Sequence, residues 1–80
     1  MDYKIIKRPR TDLLEIKLFE LIKNNLRKVN KNEMHNFIDE LIMGYNEENG
    51  TDFKFHYDKY DFFIFQNNSA PIVHLKINDF

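Results

Sequence analysis

His56, Asp61 and His74 are the residues of this chain whose types could do chemistry together. Two imidazoles and a carboxylate can hold a divalent metal or form an acid–base pair. They meet only if a first hairpin places His56 opposite Asp61 and a two-residue second turn brings His74 opposite Asp61 as well. A slip of one residue would send the set to the other face of the sheet. Ordinary cross-strand His–Asp pairing, at about 0.2–1 kcal/mol, accounts for the same residues, so they are given no metal, cofactor or catalytic role. His35 has Asp39 at i+4 and reads as a polar helix pair. The only glycines, Gly44 and Gly50, form no phosphate-binding loop, and Ser69, the only serine, stands in no nucleophile motif. The chain reads as a non-enzyme without a cofactor.

Phe63 and Phe65 carry a different message. They close the stretch FKFHYDKYDFFIF at residues 53–65, eight of whose thirteen residues are apolar or aromatic. Phe53, Phe55 and Tyr57 alternate with polar residues, and Tyr60, Phe62 and Ile64 do so again after Asp58-Lys59. Period-two alternation across a short break predicts a β-hairpin with these six side chains on one face. That face is core, and Phe55→Ala is expected to cost about 3–5 kcal/mol. Phe63 and Phe65 are left on the other face, with Lys54, His56, Lys76 and Ile72. They are expected to be covered by the first strand or Phe80, by a second copy of the chain, or by a foreign surface. Aromatics beside lysines suit a protein interface and, in other contexts, stacked bases.

A second set points to nucleic acid. Arg8, Arg10, Lys23, Arg27, Lys28 and Lys31, with Lys17, surround the first predicted helix, and such residues contact phosphates. Arg27 and Lys28 equally complement the helix dipole. A winged helix-turn-helix does not fit: the tight glycine turn is missing, and the second helix carries Glu33, Asp39, Glu40, Glu47 and Glu48.

The elements that must position these residues follow from pattern. Tyr3 to Lys7 reads as a short strand centred on Ile5 and Ile6, ended by Pro9. Thr11 or Asp12 can cap a first helix, Asp12 with Glu15 having the D-x-x-E spacing. Leu14, Leu18, Leu21, Ile22 and Val29 form its apolar face, flanked by Leu26 and widened by Leu13, Ile16 and Phe19. Asn30 or Asn32 can cap a second helix, in which Met34, Phe37, Ile38, Leu41, Ile42 and Tyr45 repeat at helical spacing. Gly44 within it implies a close backbone approach or an approaching end, and Asn49 or Gly50 suits a left-handed cap. A turn at Asn67-Asn68-Ser69-Ala70, of two or four residues, leads to a last strand whose Val73, Leu75 and Ile77 extend the core face. The predicted fold is α+β: two helices on one face of a three- to four-stranded antiparallel sheet, in the order β-α-α-β-β-β if the first segment is a strand.

Eighty residues make one domain, 1–80, which buries only about 60–65% of its unfolded surface. Eight Phe and four Tyr compensate, since each buried ring removes about 150–250 Å² from water. No cysteine is present, which suits a reducing cytoplasm, and no apolar run is long enough for a bilayer. The N-terminus has no secretory pattern. The net charge of −1 conceals a split: residues 1–31 carry nine basic and four acidic side chains, a net of +5, and residues 32–80 a net of −6. Abundant Lys, Asn and Ile with one alanine suggest an AT-rich genome.

Together these observations lead to a small protein-binding module, with Phe63, Phe65, Lys54 and Lys76 as the partner-binding residues and a homodimer as one form of partnership. An inhibitor of a host complex encoded by a phage or mobile element, anti-defence or anti-CRISPR-like, is the concrete version. The alternative is a nucleic-acid-binding domain using the basic set.

Overall fold

The structure, a computed structural model, describes residues 2–67 and 69–78. The element order is β1 (Tyr3–Lys7), α1 (Leu13–Leu26), α2 (Met34–Asn49), β2 (Phe53–Asp58), β3 (Asp61–Gln66) and β4 (Val73–Ile77). The four strands form one antiparallel sheet in the order β1-β4-β3-β2. The first segment is therefore a strand, and the α+β fold of two helices against a four-stranded antiparallel sheet is the predicted one.

Asp12 caps α1, its Oδ1 accepting from the Glu15 N–H at 3.0 Å. Neither Asn30 nor Asn32 caps α2: Glu33 holds the N-cap position without a side-chain cap bond, and Asn30 closes the preceding turn, accepting from the Glu33 N–H at 3.1 Å. Gly50 ends α2 at φ 64°, where a side chain would strain the left-handed backbone. Gly44 differs from expectation. The helix continues past it to Asn49, and nothing approaches within 4 Å of the space a Cβ would take.

The core is one cluster. Leu18, Ile22 and Leu26 from α1 and Met34, Ile38 and Ile42 from α2 pack on Phe53, Phe62, Ile64, Val73, Leu75 and Ile77 of the sheet. The i, i+4, i+8 spacing in both helices turns one stripe inward. Several outer members of the predicted stripes stay in water: Leu13 is 72% exposed, and Leu21 and Phe37 are also exposed. Val29 is buried in the turn beyond α1 rather than on the helix.

The hairpin register differs from the predicted one by two residues. Tyr57 faces Phe62 and Phe55 faces Ile64, and the loop is Lys59-Tyr60, with Lys59 at φ 27°. Tyr60 leaves the core for the turn and is 37% exposed. A shift of two preserves side-chain parity, so Phe53, Phe55, Tyr57, Phe62 and Ile64 still share the helix-covered face. Phe55 and Tyr57 are only half-buried, because β2 is an edge strand, so the large truncation penalty expected at Phe55 moves to Phe62, which is fully buried. The β3–β4 register, with Phe62 opposite Leu75 and Ile64 opposite Val73, is that of the four-residue turn.

β1 joins the sheet beside β4, with Tyr3 opposite Ile77 and Ile5 opposite Leu75. The register shifts between Ile5 and Lys7, so Ile6 is the extra residue of a bulge. Ile5 and Ile6 are exposed at 37% and 50%, and the buried residue of this strand is Tyr3, whose hydroxyl donates to the Lys23 carbonyl at 3.3 Å.

Candidate partner-binding face

The strands place alternate side chains on opposite faces, and the helices cover one of them. The pairing lays out the other face in two rows. Lys4 stands opposite Lys76, Lys76 opposite Asp61 and Asp61 opposite Asp58. In the next row Lys7 stands opposite His74, His74 opposite Phe63 and Phe63 opposite His56. Phe65 follows, opposite Lys54.

Phe63 and Phe65 are half-buried, and neither belongs to the core cluster or to the side chains packed on it. β1 lies beyond β4 at the sheet edge and does not fold across them. Ile72, expected beside them, packs on the core instead. The suggestion that Phe80 covers them lies outside the described residues. Lys54 and Lys76 are exposed on this face, as predicted from alternation. Lys4 and Lys7 add two cations that sequence reasoning missed, because the register of β1 against β4 decides where they stand.

Phe63 and His74 stack with ring centroids 4.3 Å apart and planes 26° from parallel. His74 is held in turn by Asp61, Nε2 to Oδ1 at 2.9 Å. The expected trio is thus reduced to a pair. His74 reaches Asp61 diagonally, while His56 faces Phe63 and not Asp61, because the hairpin loop sits one residue later on each strand. Among the described residues no three His, Asp or Glu side chains converge as a metal site would require. With Asp61 tied to His74, Lys76 forms no ion pair with its cross-strand neighbour among the described residues.

Four residues of the basic set of the alternative reading line two depressions beside α1. Arg8 and Arg10 flank Ile16 and Phe19 at one end. Lys23 and Arg27 lie at the other, with Arg27 5.3 Å above the Tyr3 ring. Glu20 sits between and pairs with Lys23 at 3.2 Å. Lys17, Lys28 and Lys31 are exposed. Glu20 thus stands between the Arg8–Arg10 pair and the Lys23–Arg27 pair.

Fold and face together define a small α+β domain with one sheet face closed by helices and one aromatic, lysine-flanked face that no other described element covers. No family model, no curated protein and no solved structure matches the chain. No helix among the described residues is long and apolar enough to cross a membrane.

Proposed function

We propose that this protein is a non-enzymatic protein-binding module that docks its partner on the open sheet face, with Phe63 and Phe65 at the centre and Lys54 and Lys76 at the rim. The observation that carries the reading is the position of the two phenylalanines on the face that the helices do not cover. An apolar centre with a charged rim is the usual anatomy of a protein interface. Base stacking is a poorer match. One face of the Phe63 ring is already taken by His74, and Asp58 and Asp61 lie among the lysines of this surface, which weakens its attraction for phosphates.

In its finer form the module acts by occupying the surface of a host protein, as inhibitors encoded by phages and mobile elements do. Compositional bias and small size support this form.

Photo-crosslinking in the native host tests the docking face. A photoreactive residue is placed at Phe65 or Lys54 on the sheet, and at Lys17 or Leu21 on α1. The reading expects one protein adduct from the sheet positions, lost on Phe63→Ser, and none from the helix. Adducts from the helix positions, or adducts with nucleic acid, overturn it.

A further inference from the structure

We propose that the groove at the end of the β1–β4 pair seats an acidic, extended segment of the partner protein, with an aliphatic side chain between Ile6 and Ile72 and carboxylates on Arg8 and Arg10. The proposal rests on the protein-binding reading and names a second part of the same contact. Lys7, which lines this groove, stands opposite His74 and so links it to the open face.

The groove opens where β1 leaves the sheet and β4 enters it. It is an open trough of about 640 Å³. Ile6, Pro71 and Ile72 supply apolar wall, and Arg8, Arg10 and Glu15 supply charge. Ile6 is half-exposed here because the bulge takes it out of the sheet's pairing. Pro9 fixes its own φ and biases Arg8 toward extended backbone, which limits the freedom of the segment carrying both guanidinium groups. Both arginines are exposed, and neither forms an ion pair among the described residues. They also line the neighbouring trough of about 500 Å³ beside Phe19, so they stand on the ridge between two depressions. A planar guanidinium offers a two-pronged contact matched to a carboxylate.

A peptide fits this chemistry better than a nucleic acid. The groove has aliphatic walls and no aromatic ring among its described lining, so it offers a base nothing to stack on. Glu15 stands in the wall, and its carboxyl is pushed above its ordinary value by burial and by Asp12. That side chain disfavours a string of phosphates along the wall. Among the described residues it pairs with neither arginine, which leaves both guanidinium groups for the one or two carboxylates of a peptide.

The test uses the full chain, labelled with 15N, and three probes: a capped Ser-Glu-Leu-Glu-Ser peptide, its Ser-Gln-Leu-Gln-Ser counterpart, and single-stranded oligothymidylate. The expected result is a set of amide shifts confined to residues 5–10 and 70–72 with the Glu peptide. The Gln peptide should bind about tenfold more weakly, as should the Glu peptide to the Arg8→Gln, Arg10→Gln double variant. Both replaced residues are exposed, and the variant's own amide spectrum reports whether it is folded. Equal binding of the two peptides overturns the proposal, as do stronger binding of oligothymidylate, shifts centred elsewhere, or no shift with any probe. Crosslinking in the parent sequence separates the two readings. Groove shifts with the Glu peptide, together with no crosslinks at Phe65 in the host, remove the sheet-face reading alone. Specific crosslinks at Phe65 with a silent groove remove this one alone.

Discussion

The side-chain amide of Asn46 pairs with the backbone of Phe53 as a neighbouring strand would. Its Nδ2 donates to the Phe53 carbonyl at 2.9 Å, and its Oδ1 accepts from the Phe53 N–H at 2.9 Å. The Thr51 hydroxyl donates to the same oxygen at 2.9 Å. One residue in the last turn of α2 thus satisfies the first residue of the edge strand β2 and fixes where the hairpin begins.

Asn46→Ala should therefore lower stability by about 1–3 kcal/mol, since Phe53 is buried and its two backbone groups lose their partners. Asn46→Asp keeps the two acceptor contacts but turns a carboxylate oxygen toward the Phe53 carbonyl where the amide donated, so it too should fall below the parent. Urea denaturation of the three proteins checks the order. Equal midpoints would show that water replaces the amide without penalty.

Tyr45 makes stability depend on alkaline pH. Its hydroxyl donates to the Leu14 carbonyl at 2.6 Å, joining α2 to α1. Burial, then the carboxylates of Asp12 and Glu48, raise its pKa above the ordinary 10.0. The folded state holds the proton more firmly than the unfolded chain. This contribution is therefore intact below about pH 10 and lost as pH climbs through the folded value. Tyr45→Phe should be less stable at neutral pH by about 0.5–1.5 kcal/mol. The gap should narrow at higher pH, which denaturant melts at neutral and alkaline pH will measure.

Adjacent phenylalanines should behave oppositely. Phe62 is fully buried at the centre of the sheet, and Phe62→Ala should cost about 3–5 kcal/mol, comparable to the stability of so small a fold. Phe63→Ala should change stability by about 1 kcal/mol or less, because its ring lies outside the core. Thermal melts of both variants check the contrast, and similar losses would place Phe63 in the core.

Gly44 within α2 and Gly50 at its C-terminal cap give a matched control on the backbone. Gly44→Ala should stabilise the protein by about 1 kcal/mol, since the helix is regular there and the space is open. Gly50→Ala should destabilise it by a similar amount, about 1 kcal/mol, because φ 64° is unfavourable for a side chain. Calorimetry on both variants will read the two signs.

Glu15 offers a check on the groove. Glu15→Gln removes the one carboxylate among its described lining, so binding of the Glu-Leu-Glu peptide should tighten by about threefold, within the usual range for a partly exposed charge. Titration of the two proteins at low and high salt measures it, and the gain should shrink as salt screens the repulsion.

Much of the fold was legible in the sequence because it depends on periodicity. Met34, Ile38 and Ile42 mark the buried stripe of α2 by spacing alone, and alternation assigns Phe53, Phe62, Ile64, Val73, Leu75 and Ile77 to one face. That assignment survives a two-residue error in register, because parity is all it uses. The same parity leaves Phe63 and Phe65 on the second face. What each residue stands opposite depends on the register itself. Only the tertiary structure decided that His74 and not His56 meets Asp61, and that Tyr60 turns the hairpin. Asn46 is an ordinary helix residue by pattern, and its role appears only when β2 begins beside it. The place of β1 next to β4 is also tertiary. It is set by pairing between residues more than sixty positions apart, and it is what brings Lys4 and Lys7 to the border of the second face and Arg8 and Arg10 to the groove beside it. Local sequence fixes side-chain direction through the geometry of each element, while the neighbours a side chain acquires follow from how distant elements pack.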